Sequence, residues 1–297
     1  MSEIFSGFAS RLTKATRRFG PLCVGLDPYP DKIPRIFGPP GAAAAEAFCL
    51  AVIGLAAHRI AAVKPQMALF EIWGAAGIKA LERVCAAAKQ AGLLVILDGK
   101  RGDIGATGGY YAKAYLGPDP ALEADCLTIS PYMGLDSIAP FAEAASATGK
   151  GVAVLVRTSN PGAIALQNQH VNSRPLYLHI AAMLAPIAAQ LTRTESDWSS
   201  MMAVVGATAP EEALEIRNLL PNTPFLVPGF GAQGASAKSA LSGFRRDGDG
   251  WQGGLVNSAR AILFPTGTDR DTKEGPWETA VSAAIFAAQK ELNSVDC

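Results

Sequence analysis

The chain has 297 residues, 49% of them hydrophobic and 18% charged, enough apolar material for one large α/β domain or two small ones. Its 26 basic residues are balanced by 26 acidic ones, which removes the basic excess expected of a protein that grips a nucleic-acid polymer. The longest uncharged apolar stretch, Ala47 to Ala57, is too short to span a bilayer, so no membrane partner is expected.

The first segment, MSEIFSGFASRLTKATRRFG, lacks the apolar core of a signal peptide and reads as an amphipathic helix. Short runs rich in Val, Ile and Leu then recur: LCVGLD (22–27), AAVKPQ (61–66), LLVILDGK (93–100), ADCLTIS (124–130), GVAVLVRTS (151–159), MMAVVGAT (201–208), FLVPGF (225–230) and GLVNSAR (254–260). Between them lie helix-like segments such as EAFCLAVIGLAAHRI and GIKALERVCAAAKQAG, the second ending in Gly92 as its C-cap. Strands alternating with helices imply a parallel sheet, and eight such units favour closure into a barrel. The expected fold is a single (β/α)8 barrel over residues 1–297 with two loop insertions. One insertion runs from Asn160 to Ser200 and is partly helical (LYLHIAAMLAPIAAQL); the other, 242–254, is glycine-rich and expected to be flexible.

Cys23, Cys49, Cys85, Cys126 and Cys297 form no CxxC pair, so neither a zinc site nor a disulfide framework is indicated. They read as reduced thiols of a cytoplasmic protein. Asp27, Lys64, Asp98, Lys100, Ser159 and Arg260 all fall near the C-terminal end of an apolar run, the end that forms the catalytic face of such barrels. Polarity where a strand meets water explains any one of them; it explains poorly a lysine and an aspartate inside the last turn of an apolar strand. By strand alternation Leu94, Ile96, Asp98 and Lys100 share one face, while Leu93, Val95 and Leu97 share the other and should meet the helices. Asp98 and Lys100 therefore point into the barrel mouth, with Asp103 three residues on. A lysine between two carboxylates is held as the ammonium, which suits a general acid better than a Schiff-base nucleophile.

The run Asp98, Lys100, Arg101, Asp103, Ile104, Gly105 and Thr107 resembles the D-x-K-R-x-D-I-G-x-T signature of the orotidine 5′-phosphate decarboxylase family, and is most similar to its longer bacterial branch. CVGLDP, VKPQ, FE, SPYMG, TSNPGA, PGFGAQG and the Arg260 strand carry the resemblance over nearly the whole chain. It implies conversion of orotidine 5′-phosphate to uridine 5′-phosphate without cofactor or metal. Lys100 would protonate C6 of the pyrimidine, Asp103 would face the substrate carboxylate, and Lys64 with Asp98 would complete an alternating charge network. Asp27 would bind a ribose hydroxyl and Ser159 the pyrimidine edge. Gln233 and Arg260, with Gly231 in the glycine loop, would hold the phosphate. Asp103 and Thr107 would reach into the neighbouring subunit's site, which implies a homodimer with shared active sites.

Gly229 to Gly234 is a literal GxGxxG, yet it follows the seventh strand and lacks the downstream acidic residue of a dinucleotide site. After strand seven of a barrel it fits a phosphate loop instead. His58, His170 and His179 lie away from the strand ends and receive no chemistry. Tyr110, Tyr111 and Tyr115 are assigned to helix packing at the dimer contact, and Arg101, by parity, to a structural or interfacial place. Two rivals differ in kind. A magnesium-dependent barrel decarboxylase of 3-keto-sugar phosphates shares the D-x-K-x-x-D spacing but has a glutamate where this chain has Lys64. A non-catalytic barrel that binds a phosphorylated ligand would have no reason to keep all four charges.

Overall fold

The computed structural model describes residues 7–231, 234–248 and 250–295. Eight parallel strands close into a barrel: β1 (Leu22–Leu26), β2 (Ala62–Pro65), β3 (Leu94–Arg101), β4 (Cys126–Ile129), β5 (Gly151–Arg157), β6 (Met201–Val205), β7 (Phe225–Pro228) and β8 (Gly254–Ser258). Each pairs with its neighbours in sequence, and closure comes from β1 pairing with β8 through Leu22 and Val256, Cys23 and Asn257, and Val24 and Ser258. Helices such as Ala42–Ala56 and Gly74–Gln90 cross over outside the barrel, and Gly92 takes a left-handed φ of 75° just past the second. Among the described residues no helix is long and apolar enough to cross a membrane.

Alternation along the strands sorts the core as the sequence implied. Val95 and Leu97 join the large apolar layer between strands and helices, while Leu94 and Ile96 join a smaller cluster inside the barrel. That inner cluster is closed from below by the first helix, Phe8–Phe19. Phe8 is fully buried there with Leu12, and its backbone N–H donates to Gly149 O. A Cβ at Gly151, where β5 begins, would lie 2.8 Å from both Phe8 Cε1 and Ser200 O, so only glycine leaves room for the ring.

Two connections differ from expectation. Most of 160–200 is the ordinary crossover of β5 to β6: the helix Leu176–Gln190 follows a short helix, Ala163–Gln167, and a small ribbon at His170–Val171 and Arg174–Pro175. The glycine-rich 242–254 segment is a built ribbon, Arg245–Asp247 against Gly250–Gln252. Trp251 is buried in the main core, Gln252 accepts a hydrogen bond from Thr16, and Arg17 pairs with Asp247 at 2.7 Å. An indole anchor and two ties to the first helix outweigh the freedom of the glycines.

Cys23, Cys49, Cys85 and Cys126 are buried free thiols. Cys297 lies outside the described residues.

Removing a fully buried aromatic ring typically costs about 3–5 kcal/mol. Phe8→Ala should therefore lower unfolding free energy in urea by about that much; a loss below about 1 kcal/mol would show that the floor does not depend on this ring.

Candidate active site

A cavity of about 510 Å³ opens at the carboxyl ends of the strands. Asp27, Lys64, Asp98, Lys100, Ser159 and Arg260 all line it. Its two walls differ: Asp27, Lys64, Asp98 and Lys100 come from β1 to β3, Arg260 from the turn after β8, and Leu155, Val204, Leu226 and Pro228 from β5 to β7.

At the centre, Asp98 divides its carboxylate between two lysines. Lys64 Nζ donates to Oδ2 at 2.6 Å and Lys100 Nζ to Oδ1 at 2.5 Å. Gln66 Nε2 adds a bond to Oδ2 at 3.0 Å, and the Thr128 hydroxyl one to Oδ1 at 3.1 Å. Burial pushes the Asp98 carboxyl up, but the two ammonium groups outweigh burial and hold it well below the usual carboxylate range. Burial likewise disfavours the charged form of Lys64, and the nearby Asp98 and Asp27 reverse that, so its value lies above the ordinary lysine range. Both stay ionised at neutral pH. Lys64 has only 7% of its side chain exposed and serves as a foundation; Lys100 has 50% exposed and is presented to the cavity.

Asp27 follows β1. Its Oδ1 is buried without a hydrogen-bond partner, and burial raises its pKa, with Lys64 opposing. An orphaned acceptor at the wall suits a ligand hydroxyl. Arg260 begins the turn after β8; it is exposed, and among the described residues no carboxylate forms an ion pair with it. Gly231, at φ 78°, adjoins Ser258 and Ala261 beside it, and Gly229 at φ 105° lines the cavity. Gln233 lies outside the described residues.

Asp103 and Thr107 do not join the cluster within this chain. Asp103 Oδ1 accepts from the N–H of Ile104 at 2.8 Å, at the start of the helix Gly105–Leu116, and Thr107 is exposed on that helix. Arg101 turns to Glu71 and the Tyr115 hydroxyl and does not line the cavity.

Several lining residues were not singled out from sequence. Gln66 and Thr128 follow the same strand-end rule as the rest, so that signal was available. Asn257, buried near the end of β8 between Val256 and Ser258 and with no partner for its Oδ1 among the described residues, obeys that rule as well. Among the described residues no group of three or more His, Cys, Asp or Glu is placed to hold a metal ion.

A closed parallel barrel with convergent charge at its strand ends defines a (β/α)8-barrel enzyme. Residues 20–262 match the model of the orotidine 5′-phosphate decarboxylase / HUMPS family. The orotidine 5′-phosphate decarboxylases of Rhodopirellula baltica and Deinococcus radiodurans are each 40% identical to it, over 96% of this chain and 98% and 97% of theirs. The structure of Leishmania donovani OMP decarboxylase superposes with a TM-score of 0.77 at 34% identity, covering 97% of this chain and 98% of that one. The chain belongs to the orotidine 5′-phosphate decarboxylase / HUMPS family.

The charge network yields a pH prediction. The Asp98 value is depressed in the folded state, so its contribution is complete above the unfolded value of about 4 and is lost as pH falls below it. Asp98→Asn strands the buried Lys64 ammonium and should cost about 3–5 kcal/mol at pH 7. The gap to wild type should narrow as unfolding is measured from pH 5 down to about pH 3. A gap that stayed constant with pH would assign the loss to packing instead of charge.

Proposed function

We propose that the chain is a cytoplasmic, metal- and cofactor-independent enzyme that decarboxylates orotidine 5′-phosphate to uridine 5′-phosphate, the last step of de novo pyrimidine nucleotide synthesis, and that residues 1–297 act as one catalytic domain. The observation that carries it is the Lys64–Asp98–Lys100 chain, with only Lys100 turned to the cavity. As the bond between C6 and the carboxylate breaks, its electron pair stays on C6. Lys100 Nζ, already cationic, gives that carbon its proton and is recharged from water. The neighbouring Asp98 needs no change of charge for this step, so the site is organised before substrate arrives.

The remaining roles follow position. Arg260 is a cation at the rim with no ion-pair partner among the described residues and a planar fork suited to a phosphate, and Gly229 and Gly231, with Gln233 shortly after in sequence, come after the strand where barrels commonly bind one. Asp27 offers its orphaned oxygen to a ribose hydroxyl, and Ser159 stands on the far side to meet the pyrimidine edge.

The family also holds sugar-phosphate decarboxylases, and Lys64 separates the two readings. An ammonium 2.6 Å from Asp98 occupies the place of a metal-ligating carboxylate and repels a divalent cation. Purified protein should consume orotidine 5′-phosphate, followed by its loss of absorbance, equally well before and after exhaustive EDTA treatment. Activity abolished by EDTA and restored by magnesium would transfer the protein to the rival branch.

The position of Asp103 and Thr107 outside their own chain's cavity supports a homodimer in which each serves the partner's site. Large apolar side chains are exposed on the same segment, Ile104 at 61% and Tyr110 at 75%. Lys100→Ala and Asp103→Asn should each be nearly inactive. Refolding an equal mixture makes half the dimers mixed, each with one intact site, so about a quarter of wild-type activity should return by two-fold symmetry. Inactivity of a mixture proven to contain mixed dimers would return Asp103 to its own chain's site.

A further inference from the structure

Lys100 has a backbone that its position makes costly. Its φ is 45°, a left-handed conformation that side-chain-bearing residues seldom adopt. The cause is a bulge: Leu97 pairs with Leu127 and Arg101 with Ile129, so three residues, Asp98, Gly99 and Lys100, lie opposite Thr128 alone. Gly99 leaves room for Met67, whose Sδ would lie 2.7 Å from a Cβ there and would have to shift.

What fills the gap in the ladder is one hydroxyl. Thr128 is 2% exposed, and its Oγ1 accepts from the Lys100 backbone N–H at 2.9 Å while lying 3.1 Å from Asp98 Oδ1. The direction of both bonds is fixed by chemistry, because an amide can only donate and an ionised carboxylate can only accept. The single Thr128 proton therefore points at Asp98, and a lone pair holds the Lys100 amide. One oxygen ties both ends of the triplet: it takes up the Lys100 N–H and adds a neutral donor to the Asp98 oxygen that Lys100 also uses.

We infer that Thr128 is a positioning residue for decarboxylation: its hydroxyl locks Lys100 in its left-handed backbone and sets the Asp98 carboxylate that aims the Lys100 ammonium. This rests on the reading of Lys100 as the proton donor. Thr128 acts through these two residues and needs no contact with substrate. Loss of its hydroxyl should thus weaken the chemical step more than binding, since the phosphate and ribose contacts lie elsewhere.

The test compares Thr128→Val, which keeps the branched shape, with Thr128→Ser, which keeps the hydroxyl. A hydrogen bond to a charged group supports about a tenfold to hundredfold effect. Thr128→Val should lose about that much in kcat, with KM within about threefold, whereas Thr128→Ser should retain kcat within about threefold. Amide hydrogen exchange at Lys100 should accelerate in Thr128→Val and stay near wild type in Thr128→Ser. Wild-type kcat in the valine variant, or equal loss in both variants, overturns the inference. The exchange measurement separates this from the functional reading: an inactive wild type removes the decarboxylase assignment, while unchanged Lys100 exchange in a folded valine variant removes the hydroxyl lock whatever the activity.

Discussion

Asp98 gives Oδ2 to Lys64 and Oδ1 to Lys100, and neither lysine could sit where it does without that carboxylate. Lys64 is nearly enclosed by strands, where an unpaired ammonium is too costly to persist. Lys100 needs a fixed acceptor if its long side chain is to point one way. The acid is in turn held ionised by the two cations, against burial that would protonate it. Each charge is tolerated only because the others are present, so the group acts as a unit and its members should not contribute additively.

The strand order turns that unit into a directional site. The Lys64–Asp98–Lys100 network gathers on the second and third strands, and Leu155, Val204, Leu226 and Pro228 come from the fifth to seventh, so one wall of the cavity is charged and the other carries apolar side chains beside Thr158, Ser159 and Asn160. Apolar surface strengthens charge interactions across from it. On the proposed reading a pyrimidine would lie between the two walls, with its phosphate at the turn after β8 where Arg260 stands. Binding energy gathered there would be spent away from the bond that breaks.

How much of this could be read from sequence depended on how local the cause was. Parity along residues 93–98 placed Leu94, Ile96 and Asp98 inside and Val95 and Leu97 outside, because pleating is a property of the strand itself. Parity does not extend to Lys100, which lies beyond a bulge and reaches the same side through a left-handed turn. The bulge depends on β4 having a single residue opposite three, and pairing of that kind is not written in either strand alone. Spacing alone sets Asp103 three residues beyond Lys100, yet the fold of the chain does not bring it into the cavity with the lysines. The ribbon at 245–252 departs from the flexibility its glycines suggest, because Asp247 and Gln252 are tied to a helix more than 200 residues earlier.

The first helix has a consequence for traffic. With Phe8 and Leu12 packed across the amino end, the barrel is a cup whose described cavity opens at the opposite rim. Ser159 and Arg260 line that opening. The residues proposed to hold the nucleotide thus border the way out as well as the way in, and turnover inherits that constraint from the shape of the vessel.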